Sequence, residues 1–109
     1  MTEAAVEVTD ASFAEFTGTG VVLVDFWGEM CPPCRVQGPI VDKVAGQFAG
    51  RATVGKLDVG SNPRVPTDFG VMYIPTLMIF RDGKELKRFT GLTQEATLVS
   101  ELQDALKEA

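Results

Sequence analysis

The sequence predicts an α/β fold, one mixed sheet of roughly five strands with helices on both faces. Three observations carry this. Segments of β-branched, apolar residues alternate with segments of helical period, as in Val21–Trp27 followed by Val36 to Phe48. Such alternation implies parallel strands joined by crossover helices. The central segment Val21–Trp27 is apolar almost without a break, as in a strand covered on both sides. Asp82-Gly83, between two strand-like runs, marks a late hairpin and therefore an antiparallel edge. The chain's 109 residues are expected to form one domain, 1–109, because single domains commonly hold about 100–150 residues.

Taken in order, Val6-Glu7-Val8 reads as a short strand. Thr9 and Asp10 are suited to cap a helix running to about Thr17, with Phe13 and Phe16 inward and Gly18-Thr19-Gly20 ending it. After the Val21–Trp27 strand, Gly28 to Cys31 forms a turn. Val36, Ile40, Val41, Val44 and Phe48 then recur at helical spacing, with Pro39 inside the helix as a source of kinking. Ala52 to Val59 reads as a strand, Ser61 to Pro66 as turn-rich, and Val65 to Phe69 as a short helix. Thr76 to Phe80 and Glu85 to Thr90 form the hairpin strands. Gly91 breaks the chain, and Thr93 to Lys107 is a final helix with Leu98, Val99, Leu102, Ala105 and Leu106 on one face.

Composition narrows the chemistry. Ten Lys and Arg against fifteen Asp and Glu give a formal net charge of −5, which argues against a nucleic-acid partner. The longest apolar runs fall far short of the ~20 residues that span a bilayer, so no membrane partner is expected. The acidic start, Met1 to Asp10, lacks the basic-then-apolar pattern of a signal peptide, which points to the cytoplasm. The chain has no His, so catalysis by Ser–His or Cys–His pairs is excluded within it. Its two cysteines, Cys31 and Cys34, are too few for a four-ligand zinc site in one chain.

Those cysteines carry the chemistry. Cys31-Pro32-Pro33-Cys34 lies where a buried strand gives way to a helix, the context in which Cys-x-x-Cys reads as a redox pair. With Cys31 at the N-cap, Pro32 and Pro33 occupy the first helical positions, where a missing N–H costs little. The Cys34 N–H is then the first donor able to reach the Cys31 sulfur, and the helix terminus favours a thiolate there. Cys34, one turn on, can resolve a mixed disulfide by attacking Cys31. A purely structural disulfide and half of an intersubunit zinc site are the competing readings. Asp25, inside the apolar strand, is expected to have a raised pKa suited to proton exchange with Cys34; a strand-end Asp reaching solvent is the alternative.

Val-Asp-Phe-Trp-Gly-Glu-Met-Cys-Pro-Pro-Cys-Arg at 24–35 resembles the active-site segment of the thioredoxin family. Gly-Lys-Leu-Asp-Val at 55–59, Tyr-Ile-Pro-Thr-Leu at 73–77, Arg81-Asp82-Gly83-Lys84 and Phe89-Thr90-Gly91 match further blocks in the same order. Pro39 resembles the family's helix-kinking proline. The resemblance runs from about Val6 to the C-terminus. It implies a thioredoxin fold and a thiol–disulfide oxidoreductase that reduces protein disulfides and is recharged by a thioredoxin reductase. It implies no cofactor beyond the Cys31–Cys34 disulfide, and a monomer is the default at this size. Cys31 matches the attacking thiol, Cys34 the resolving thiol and Asp25 the buried carboxylate. Lys56 matches a lysine that modulates that carboxylate, although an ordinary exposed strand lysine fits the same position. Ile74-Pro75 resembles the family's cis-proline loop, with Gly91 beside it and Trp27 flanking the site; together with Met30 and Tyr73 these are the expected substrate-binding residues.

Three positions depart from the family pattern. Pro32-Pro33 stands where Gly-Pro is commonest, which stiffens the turn and should shift the reduction potential. Met30 stands in place of a tryptophan and Tyr73 in place of a small residue. The two changes are expected to be linked, with the Tyr73 ring filling surface left by Met30. A specialised relative with an altered potential, acting as an oxidant or isomerase, and a non-catalytic binding module are the alternative functions.

Overall fold

The computed structural model describes residues 5–107. Nine elements follow in the order β1 (Val6–Glu7), α1 (Phe13–Thr17), β2 (Val21–Trp27), α2 (Pro32–Gln47), β3 (Thr53–Asp58), α3 (Arg64–Asp68), β4 (Thr76–Arg81), β5 (Lys84–Thr90) and α4 (Glu95–Lys107). The five strands form one sheet in the order β1-β3-β2-β4-β5. β1, β3 and β2 pair in parallel, while β4 is antiparallel to both β2 and β5.

Strand alternation explains the unbroken apolar run of β2. Val21 and Leu23 face one core with Leu77 and Ile79, built against Val41, Val44, Ala45 and Phe48 of α2 and Leu98, Leu102 and Ala105 of α4. Val22, Val24 and Phe26 face the other with Met78 and Phe80, built against Phe13 and Val65. With both faces covered, neither parity of the strand has reason to be polar. The β4–β5 hairpin turns on Asp82 (φ 49°) and Gly83 (φ 87°), the two left-handed positions that a tight turn of this kind requires. The Asp82 carboxylate also accepts from the Gly20 N–H at 2.8 Å, tying the turn to the start of β2.

Two expectations need correction. Asp10 does not cap α1: its Oδ1 and Oδ2 accept the backbone N–H groups of Val65 and Arg64 at 2.8 and 3.0 Å, capping α3. Thr9 and Ser12 instead close a turn before α1 through reciprocal bonds of 2.9 and 3.1 Å. A five-residue helix such as α3 has hardly more than terminal groups, so a carboxylate brought by tertiary packing competes strongly for its free donors. On α2, Val36 is 54% exposed and Gln37 is fully buried. The inward face follows the phase Cys34, Gln37, Val41, Val44, Ala45, and Val36 lies outside that arc.

Candidate active site

Cys31 and Cys34 are joined in a disulfide with Cα atoms 5.2 Å apart. Cys31 is extended (φ −135°, ψ 96°) and is the N-cap of α2. The Cys34 N–H donates to Cys31 Sγ at 3.2 Å, as the prolines at the first two helical positions dictate. Pro32 and Pro33 are exposed while both cysteines are buried. α2 continues through Pro39, which has no N–H to offer the carbonyl one turn back.

The cis Ile74–Pro75 peptide faces this disulfide, with the Ile74 carbonyl oxygen 3.8 Å from Cys31 Sγ. Gly91 sits beside it: its N–H donates to the Pro75 carbonyl at 2.7 Å, and its φ of 92° is a conformation that favours glycine. On the other side Gly28 leaves room for Ile74, since a Cβ there would lie 2.7 Å from the Ile74 Cδ1.

Asp25 shares the strand parity of Val21 and Leu23, the face on which α2 packs. It is 1% exposed, and among the described residues its Oδ1 has no hydrogen-bond partner. It lines a cleft of about 320 Å³ together with Trp27, Gly28, Cys34 and Lys56. Burial raises its pKa from 3.8 to about 7; the Lys56 charge opposes this rise and the Asp42 charge adds to it. The alternative of a strand-end Asp reaching solvent does not fit this burial.

Lys56 is the cross-strand neighbour of Asp25. Its ammonium, however, pairs with Asp42 Oδ1 at 3.0 Å, so the carboxylate on α2 holds the lysine that the sequence assigns to Asp25. Asp42 escapes a sequence reading because it stands at an exposed position of α2. Met30 and Tyr73 are 91% and 70% exposed. Both side chains are therefore open to solvent. Gln37 went unnoticed in the sequence, although helical spacing from Cys34 and to Val41 puts it on the inward face, where a carboxamide needs partners.

A Thioredoxin family model matches residues 4–104. The thioredoxin of Mycobacterium tuberculosis is 43% identical over 105 residues, covering 94% of this chain and 90% of that protein. A bifunctional thioredoxin reductase/thioredoxin of Mycobacterium leprae is 39% identical over 103 residues, covering 93% of this chain and 22% of that protein. A mutant thioredoxin from Halobacterium salinarum superposes with a TM-score of 0.89 at 28% identity, covering all of this chain (100%) and 97% of that one.

Proposed function

Because the chain belongs to the thioredoxin family and is a thiol–disulfide oxidoreductase acting as a protein-disulfide reductase, we propose that Cys31-Pro32-Pro33-Cys34 is its active site and that Cys31 is the attacking thiol. The observation that carries this reading is the position of Cys31. It caps α2, accepts from the Cys34 N–H, and lies against the Ile74 carbonyl beside the exposed Pro32 and Pro33. In the reduced protein the Cys31 thiolate attacks one sulfur of a substrate disulfide and expels the other as thiolate. Asp25 takes the Cys34 proton across the shared cleft. Cys34 then attacks Cys31 Sγ, re-forming the Cys31–Cys34 disulfide and releasing the second substrate thiolate, so that two electrons pass to the substrate.

Trp27, Met30, Tyr73, Ile74, Pro75 and Gly91 form the proposed docking surface, on which the backbone beside Pro75 receives an extended substrate segment. Lys56 acts on Asp25 only at the distance that its pairing with Asp42 allows. The electron donor is proposed to be a thioredoxin reductase, in keeping with the reductase named in the bifunctional relative. The chain is proposed to act as a single-domain monomer in the cytoplasm, with no cofactor other than its own cysteines. The mildly acidic charge supports protein rather than nucleic-acid partners, and no described helix is long and apolar enough to cross a membrane.

Equilibration with dithiothreitol or glutathione buffers tests the reductase reading. A potential at or below the cytosolic glutathione poise, about −220 to −320 mV, is expected. A value near the −120 mV of a strong oxidant would replace the reductase with an oxidising role. NADPH-linked reduction by a thioredoxin reductase tests the donor.

A further inference from the structure

We propose that Gln37 is a positioning residue that clamps the active-site helix to the 91–93 segment and thereby sets how well a protein disulfide is captured. The inference rests on the reductase reading above and concerns its docking surface. Gln37 is fully buried, and a carboxamide in that position is tolerated only when its groups are paired. Both are. Nε2 donates to the Thr93 carbonyl at 2.9 Å, and Oε1 accepts from the Thr93 N–H at 2.7 Å. One side chain therefore holds both backbone groups of one residue, which fixes orientation as well as distance.

The bonds continue from Thr93 to the Pro75 loop that faces the disulfide. Thr93 Oγ1 donates to the Gly91 carbonyl at 3.0 Å, and the Gly91 N–H donates to the Pro75 carbonyl at 2.7 Å. The neighbouring Ile74 carbonyl lies against Cys31 Sγ. The path closes on itself, because Gln37 lies on the same helix as Cys34, one turn further along the inward face. An apolar residue at 37 would fill the space but leave the Thr93 N–H and carbonyl unpartnered. The segment so held carries the exposed Leu92 and joins the Pro75 loop through the Gly91 N–H. A protein substrate must meet this surface, whereas a small aromatic disulfide needs only the sulfur of Cys31.

The test compares wild type with Gln37→Met on two substrates, insulin and dithionitrobenzoate. For insulin, KM is expected to rise about 5- to 10-fold with kcat within about two-fold, and the dithionitrobenzoate rate to stay within about two-fold. Unchanged insulin kinetics, or equal losses on both substrates, would overturn the clamp. If wild type reduces neither substrate, the reductase reading itself fails. A measurement on wild type alone covers the case in which Gln37→Met does not fold. The Thr93 amide is expected to exchange with solvent deuterium at least about 10-fold more slowly than that of Leu92. Equal exchange would mean that the clamp is open in solution, and the proposal would fall.

Discussion

Asp25 ionises differently in the folded and the unfolded chain, and the sign of the effect on stability follows directly. Its pKa is 3.8 when solvated and about 7 when buried. Below about pH 4 both states are protonated and burial of the acid costs little. Between those values the unfolded chain has lost the proton and the folded chain retains it, so stability falls as pH rises, levelling off above about pH 7. Asp25→Asn removes the titration while leaving a neutral group of similar shape. It is expected to stabilise the protein by about 2–4 kcal/mol at pH 8 and by little at pH 4, as read from urea unfolding at each pH. An equal gain at both would show that Asp25 is not held protonated by burial. The same substitution removes the proposed acceptor for the Cys34 proton, so resolution of the mixed disulfide should slow near neutral pH. A group whose ionisation weakens the fold while serving the exchange reaction is the kind of conflict expected at a working site.

At the scale of elements, short helices depend on groups supplied from elsewhere. α3 has five residues, too few to be stable through its own hydrogen bonds. Asp10 supplies two acceptors at its N-terminus, and Arg64 returns a bond from its guanidinium to the Asp10 carbonyl at 2.7 Å. Asp10→Ala is expected to cost about 1–2 kcal/mol, measured as a lowered urea midpoint at unchanged slope. A loss below about 0.3 kcal/mol would make the cap dispensable. α2 is built differently. Sixteen residues long, it is held by its inward face, and the one polar residue on that face, Gln37, is paired to Thr93 beyond β5. β3 shows a third dependence. Gly55 stands where a Cβ would come within 2.5 Å of Val8 and 2.7 Å of the Phe16 ring, so the absence of a side chain lets α1 and the end of β1 close on the sheet.

Across the whole molecule, one sheet separates two cores. The side behind α1 and α3 is aromatic: Phe13 meets Phe69 and Phe80 edge-on, with centroids 5.3 and 5.5 Å apart. The side behind α2 and α4 is mostly aliphatic. Val44 and Val65 lie in different cores. Val44→Ala and Val65→Ala are each expected to cost about 1–3 kcal/mol. Lacking shared neighbours, they should add to within about 0.5 kcal/mol in the double variant, with a single unfolding transition. A larger coupling, or two transitions, would mean that the sheet does not join the cores in the assumed way.

The strands, the helices, the hairpin and the redox pair were legible in the chain because each depends on local order. Strand and helix periods are set by the backbone, the Asp82-Gly83 turn by its φ values, and the capping of α2 by cysteine and proline within four residues. Even the burial of Asp25 could be read from its apolar neighbours on one strand. The rest required the packed molecule. Asp10 caps a helix more than fifty residues away, Lys56 turns to Asp42, and Gln37 grips Thr93. Each is a choice among partners distant in sequence, made by whichever polar group the packing brings within about 3 Å. A sequence shows that a buried carboxamide or a helix terminus needs a partner; only the folded chain decides which one reaches it.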